Sequence, residues 1–351
     1  MRGFLRKFRA GLLPARFFIF QKVRCGPLIL LKNICKSFRV AKRDPGLGQA
    51  VKALFHKQYQ TIHALQDVSF TIGDGEMVGY IGPNGAGKSS TIKIMSGILT
   101  PDSGTCVIDG RTPWKDRTAH VQNIGVVFGQ RSQLWWDVPV ADSFQLIRDI
   151  YRVEEPLYKK NADTLTELLD LGQLLKTPAR QLSLGQRMRC EIAASLLHDP
   201  KILFLDEPTI GLDAVSKIAV RDFIKTINRE KGTTVILTTH DMQDIEALTE
   251  RILLIGTGRI LLDGSLQELK NRHASQKTLT VDYSAGSIPN LPHLQVIEDL
   301  GGHAKLSMDT RSLSVSDAIS QISKFAEIKD ISVMGESVDE LVVSLYKEFA
   351  I

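Results

Sequence analysis

Three stretches of the chain are apolar without alternation: "EMVGYI" at 76–81, "KILFLDE" at 201–207 and "TTVILTTHD" at 233–241. Near-continuous runs of this length are the pattern of strands buried on both faces of a parallel sheet. Between and around them the period changes. In "STIKIMSGIL" (90–99), Ile92, Met95 and Leu99 fall on one helical stripe, and "GQRMRCEIAASLL" (185–197) reads as a helix with Ser183 as its N-cap. "HALQDVSFTI" (63–72) reads as a further strand. The pattern predicts an α/β domain with a parallel sheet, and its ligand crevice at the carboxyl ends of the strands.

Residues 266–351 are patterned differently. "KTLTVDYS", "RSLSV" and "IKDISVMG" are short alternating β-like runs. "SDAISQISKFAEI" sets Ile319, Ile322 and Phe325 on one stripe with Ser316 as its cap. In "SVDELVVSLYKEF", Val338, Leu341, Val342, Leu345 and Phe349 share a face, and Ser337 with Glu340 forms a capping box. This is a small α+β module without a catalytic constellation. The other end of the chain, "MRGFLRKFRAGLLPARFFIFQKVRCG", spaces Phe4, Phe8 and Leu12 by four residues, with Arg2, Arg6 and Arg9 elsewhere on the wheel. Such an arm suits an anionic membrane surface or a transit peptide, and equally a disordered extension or a start site assigned upstream.

Charge sharpens that division. Residues 1–43 hold 12 Lys or Arg and no acidic residue, leaving 32 basic against 39 acidic residues in the other 308, a net −7. The positive total of +5 belongs to the arm, which argues against a nucleic-acid-binding body. Cys25, Cys35, Cys106 and Cys190 form no C-x-x-C pair, so neither a metal framework nor a disulfide framework is expected, and a reducing cytosol is the default compartment. No apolar run approaches the ~18–20 residues of a membrane span; in a membrane process, another chain would do the spanning.

The candidate chemistry lies at the ends of the apolar runs. "GYIGPNGAGKSST" (79–91) meets G-x-x-x-x-G-K-[ST] with Gly82, Gly87, Lys88 and Ser89, in the order strand, glycine-rich loop, helix. Backbone N–H groups and the helix N-terminus would cradle phosphate, Lys88 would reach the β- and γ-phosphates of ATP, and the Ser89 hydroxyl would hold Mg²⁺. Asp206 is placed to hold Mg²⁺ and Glu207 to polarise an attacking water. Ser183 and the following glycine could make a second anion site or a simple cap. His240, after another central-type strand, either reaches the same crevice or is structural.

Taken in chain order, "GPNGAGKSS", Gln130, "LSLGQ", "ILFLDEP", "GLD" and His240 resemble the ATP-binding cassette (ABC) ATPases over roughly residues 28–265. The resemblance implies a phosphate-loop NTPase core of ABC type with an antiparallel β subdomain and a helical subdomain at about 131–195, flanked by a basic extension (1–27) and the α+β module (266–351). It implies that Gly82, Pro83, Asn84, Gly85, Ala86, Gly87, Lys88, Ser89 and Ser90 form the phosphate loop. Gln130 is then the glutamine sensing Mg²⁺ and γ-phosphate, although an extra Gly129 precedes it and Gln133 lies close by. Ser183, Gly185 and Gln186 are the signature over the γ-phosphate, with Leu184 where a second glycine is usual. Glu207 is the general base, Asp213 the dimer-loop aspartate and His240 the γ-phosphate switch. Phe38 matches the aromatic that stacks on adenine, with Tyr59, near the end of the insertion 39–61, as a possible substitute.

One phosphate loop and one signature per chain imply a two-fold homodimer or heterodimer that sandwiches ATP. The function implied is that of an ATPase subunit driving an export-type transporter of the drug-resistance class. It would bind separately encoded membrane permeases at the inner face of the plasma membrane, with no nucleic-acid partner. A soluble ABC ATPase acting on ribosomes or DNA fits less well, because one cassette is present and only about 90 residues separate phosphate loop and signature. Polysaccharide export is an alternative cargo class; a phosphate-loop kinase would leave "LSLGQ" and His240 unexplained. In "FGQRSQLWWD" (128–137) two of the chain's three tryptophans stand together in a polar segment. In the family this stretch lines the groove that receives a helix of the membrane subunit, so at least one ring is expected to dock there, the alternative being that both pack inside the helical subdomain.

Overall fold

The computed structural model describes residues 27–41, 59–129, 131–272, 276–335 and 338–348. The basic arm and most of the insertion after Phe38 lie outside them.

Strands β1 (Ile29–Ala41), β2 (Tyr59–Ile72) and β4 (Ser103–Ile108) form an antiparallel sheet ordered β2-β1-β4. Between them in sequence come β3 (Met77–Ile81) and helix α1 (Lys88–Met95). After the short helix α2 (Arg117–Val121) the chain enters β5 (Ile124–Phe128). Three helices follow, α3 (Val140–Tyr151), α4 (Glu155–Leu168) and α5 (Leu184–Leu196). The chain returns through β6 (Ile202–Asp206), α6 (Ala214–Lys231), β7 (Thr234–Thr238), α7 (Met242–Leu248), β8 (Arg251–Gly256) and β9 (Arg259–Ser265). The main sheet is ordered β5-β6-β7-β3-β8-β9, parallel except for the hairpin partner β9.

The three apolar runs are β3, β6 and β7, neighbours at the middle of this sheet. All of β7 is buried, as are Val78–Ile81 and Ile202–Leu205. Their ends are level, because Thr238 pairs with Asp206 on one side and with Tyr80 on the other. Three chain segments therefore leave the sheet side by side. Sheet order, more than any single residue, assembles the site.

The tail continues through α8 (Leu266–Arg272), β10 (Gln276–Gly286), β11 (Leu294–Asp299), β12 (His303–Asp309), α9 (Val315–Ile322), β13 (Ala326–Gly335) and α10 (Val338–Glu348). Its antiparallel sheet, ordered β11-β12-β10-β13, shares a core with α9 through Leu279, Val281, Leu306, Ala318 and Ile322. Two local expectations fail. "RSLSV" is a turn running into a helix, and Ser314 rather than Ser316 caps α9, accepting from the Asp317 N–H at 3.1 Å. Starting earlier, the helix stops at Ile322, and Phe325 lies beyond it, exposed. Similarly α1 ends at Met95, so Leu99 packs on the core from the following turn. Ser337 of the expected capping box and Phe349 lie outside the described residues.

Helix α10 is buried against the main α/β body. Val338, Leu341, Val342 and Leu345 pack with Ile81 at the end of β3, Met242 and Ile245 of α7, Ile252 and Leu254 of β8, and Leu266 and Leu269 of α8. Lys305 also pairs with Glu340 at 2.9 Å, tying α10 to β12. Replacing Leu345 with Ala should destabilise the whole chain by about 2–5 kcal/mol, the usual range for a buried leucine. A urea titration followed by circular dichroism and by tryptophan fluorescence reads it; a transition confined to the tail would show that α10 is not part of the main core.

Candidate functional site

The loop after β3 is shaped by its glycines. Gly85 and Gly87 have φ of 80° and 112°, values L side chains rarely adopt. At Gly82 a Cβ would fall 2.2 Å from the Ile255 carbonyl, and at Gly87 2.7 Å from the Ala64 carbonyl, so the loop is pressed between β8 and β2. Pro83, Asn84 and Ala86 complete the turn into α1, whose first residue is Lys88 and which contains Ser89 and Ser90 in its first turn. Lys88 is 7% exposed and its ammonium donates to the carbonyls of Gly82 (2.6 Å) and Pro83 (3.1 Å). Burial lowers its pKa, while Glu207 and Asp206 oppose that shift. The amine thus sits under the loop, inside the field of two carboxylates.

The two carboxylates take different directions, as expected of adjacent residues at a strand end. Asp206 accepts the Ser89 hydroxyl at 3.2 Å through one oxygen and the Thr238 hydroxyl at 2.5 Å through the other. Glu207 turns away in a left-handed conformation, φ 55°, a cost of roughly 1–2 kcal/mol for a non-glycine residue. Its N–H holds that turn by donating to the Thr238 carbonyl (2.9 Å), with the Thr238 hydroxyl at 3.2 Å. Its side chain lies 3.3 Å from His240 Nδ1. Lys88, Ser89, Asp206, Glu207 and His240 therefore form one cluster. Thr238, at the end of β7, is the residue sequence reading missed, because the strand pairing that sets it beside Asp206 is not visible in the sequence.

Gly129 explains the extra glycine before Gln130. Its N–H donates to the Asp206 carbonyl at 2.8 Å, and a Cβ there would lie 2.9 Å from the Glu207 carbonyl and 3.0 Å from that of Asp206. The loop after β5 thus crosses directly over the carboxylate turn. Gln130 itself lies outside the described residues. Gln133 points inward: its side-chain amide donates to the carbonyls of Val126 (3.3 Å) and Glu191 (3.2 Å).

Beneath Glu207 and His240 lies a second polar network. Asp244, fully buried on α7, accepts from Thr209, from Thr239 (3.2 Å) and from Arg221 Nε (2.6 Å). Thr209 follows Glu207, Thr239 precedes His240, and Arg221 is on the helix that Asp213 caps. Lys217 of that helix pairs with Asp241 at 2.5 Å.

The signature residues occupy a different place. Ser183 caps α5 in a reciprocal box: its N–H donates to Gln186 Oε1 at 2.9 Å, and its hydroxyl accepts the Gln186 N–H at 3.3 Å. Gly185 lies against α6, where a Cβ would meet Ser216 Oγ at 2.5 Å, with Asp213 Oδ2 at 3.8 Å. Asp213 caps α6, accepting the Ser216 N–H (2.9 Å) and hydroxyl (2.8 Å), and those bonds hold its carboxyl below the usual range. Ser183, Gly185, Gln186 and Asp213 thus form one surface.

Of the aromatics, Phe38 pairs with Ile62 across β1 and β2, two residues from Ala64, whose carbonyl abuts Gly87. That is roughly 7 Å along the strand. Tyr59 is five residues from Ala64, roughly 16 Å. Trp135 and Trp136 are 58% and 52% exposed, so neither ring is buried in the helical subdomain. Trp136 lies beneath the Arg187 guanidinium, 5.8 Å from its ring centre.

A protein-family model described as ABC transporter matches residues 65–210. The ABC transporter ATP-binding protein NatA of Bacillus subtilis (strain 168) is 31% identical over 222 residues, covering 63% of this chain and 90% of NatA. Daunorubicin resistance ATP-binding protein DrrA3 of Streptomyces coeruleorubidus is 32% identical over 232 residues, 66% of this chain and 73% of DrrA3. Among solved structures, the ATP-binding cassette MJ0796, a dimer in a post-hydrolysis state bound to ADP and Pi, superposes with a TM-score of 0.57 at 27% identity, covering 68% of this chain and 98% of that one.

Proposed function

The chain belongs to the ABC transporter ATP-binding family, and from that premise we infer how its own residues carry the work. It is an ATPase, the ATP-binding subunit of a transporter, with a relative named for daunorubicin resistance. The observation that carries the residue-level reading is the single cluster formed by Lys88, Ser89, Asp206, Glu207 and His240 at the level ends of three adjacent strands.

In this reading the loop 82–90 wraps the phosphates and Lys88 neutralises them. Ser89 and Asp206, two oxygen donors already in hydrogen-bond contact, suit Mg²⁺, a hard cation held by few protein oxygens plus phosphate. Mg²⁺ supplies charge neutralisation on the β- and γ-oxygens when bound. Glu207 accepts the proton of the attacking water, and His240, beside it, senses the γ-phosphate. Thr238 holds both carboxylate residues in register. Phe38 is the adenine-stacking aromatic, since its strand position is nearer the loop than that of Tyr59. Gln130 keeps the role that the family resemblance implies, sensing Mg²⁺ and the γ-phosphate.

The surface of Ser183, Gly185, Gln186 and Asp213 belongs to the other subunit's nucleotide, so two chains close two sites. The separately encoded permease binds at the helical subdomain, placing the chain at the cytoplasmic face of the membrane. Among the described residues no helix is long and apolar enough to cross one. The exposed Trp135 and Trp136 are the docking pair, since exposed tryptophan is costly unless a partner covers it. Substituting either by Ala should remove the chain from detergent-solubilised permease while ATP binding and melting temperature hold, an exposed side chain costing within about 0.5 kcal/mol. Association that survives both substitutions would move the docking site elsewhere.

A further inference from the structure

Resting on that reading of the tryptophan pair, we propose that Glu191 is a positioning residue: it fastens the tryptophan-bearing loop to the signature helix, so that load on Trp135 and Trp136 is delivered to Ser183.

Glu191 sits on α5, eight residues after Ser183, or roughly 12 Å along the helix. It is 4% exposed, an expensive place for a carboxylate unless it is fully bonded. Its partners all come from the loop after β5. One oxygen accepts the Ser132 hydroxyl and the other the Gln133 N–H at 3.1 Å. The Gln133 side chain returns the contact, bonding the Glu191 carbonyl and, across it, Val126 of β5. Burial raises the Glu191 pKa, and the bonds from Ser132, Gln133 and Leu134 oppose that rise, as does the charge of Arg187.

The same loop is pinned twice more to the signature segment. Arg187, one turn before Glu191, lies over Trp136. The Arg180 N–H, just upstream of α5, donates to the Trp136 carbonyl at 3.0 Å, and the Arg180 side chain pairs with Asp137 at 3.2 Å. An apolar residue at 191 would fill this seam at lower desolvation cost. What a carboxylate adds is directional: it accepts from the loop's own backbone and so sets where residues 132–136 lie on the helix. The loop and the helix are thereby one body with two ends, tryptophans at one and the signature serine at the other.

The test uses the full chain with Trp136 as its only tryptophan (Trp114→Phe, Trp135→Phe) and Glu207→Gln to hold the ATP-bound dimer. Adding Mg-ATP should shift Trp136 emission as the dimer forms on size exclusion, because the ring is carried with the signature helix into new surroundings. Glu191→Ala should still dimerise at higher ATP, but with the emission shift lost. Glu191→Gln, which keeps an acceptor for Ser132, should restore part of it and serves alone if the Ala variant does not fold. With Glu207 restored, Glu191→Ala should lower kcat/KM for ATP by roughly tenfold or more, the scale of a remote misplacement, with monomer ATP affinity unchanged. An emission shift of full size in both Glu191 variants, or none in their parent despite dimerisation, overturns the proposal. No dimer in the parent overturns the nucleotide-sandwich reading itself.

Discussion

Glu207→Gln should cut ATP turnover by roughly 10²–10⁴-fold, the usual share of a general base, while ATP binding and ATP-dependent dimerisation persist. Gln keeps the size of the side chain and the backbone turn fixed by Thr238, so the left-handed conformation at φ 55° survives. What it loses is the ability to take a proton from water. It also removes a negative charge from beside the γ-phosphate, so the ATP-bound dimer should last longer than the parent's. Phosphate release measured with size exclusion under Mg-ATP separates these effects. Hydrolysis at the parent rate would remove Glu207 from the base's role and leave His240, 3.3 Å away, as the next candidate.

Lys88→Ala should fail one step earlier. The ammonium is nearly inaccessible and bonded to two loop carbonyls, with Asp206 and Glu207 acting on it electrostatically. Without it, incoming phosphates meet two carboxylates with no protein cation between them. Losing one member of a buried charge pair costs at least about 2 kcal/mol, or roughly 30-fold in Kd. Calorimetric titration with Mg-ATP should show that weakening, and dimerisation should vanish with it. Because Glu207→Gln spares binding and Lys88→Ala does not, the pair of variants distinguishes capture of the nucleotide from its cleavage. Unchanged affinity in Lys88→Ala would mean the backbone amides alone hold the phosphates.

The parts of this site that were legible in the sequence are those whose residue types have few other uses. Paired glycines before Lys88 are needed where φ is positive and where β2 and β8 leave no room for a side chain. Carboxylates and a histidine at the ends of wholly apolar strands stand out against their surroundings. The strand order that sets those ends level depends on long-range pairing, which periodicity does not encode. Thr238, Asp244 and Glu191 were illegible for a related reason. Each is an ordinary polar residue in a helix or strand, and its significance comes from partners 32, 35 and 59 residues away. Helix ends erred where two serines competed. Ser314 won over Ser316 because the Asp317 N–H and side chain both meet it.

Helix α10 closes a core that begins at Ile81, so the cassette's hydrophobic interior is completed by residues more than 250 positions later in the chain. During synthesis, which runs from the N-terminus, a nascent cassette exposes Ile81, Met242 and Ile252 until Leu345 has emerged. A chain lacking α10 would still carry Lys88, Ser89, Asp206, Glu207 and His240 and yet leave that apolar surface open at the end of β3, the kind of surface that chaperones and proteases recognise.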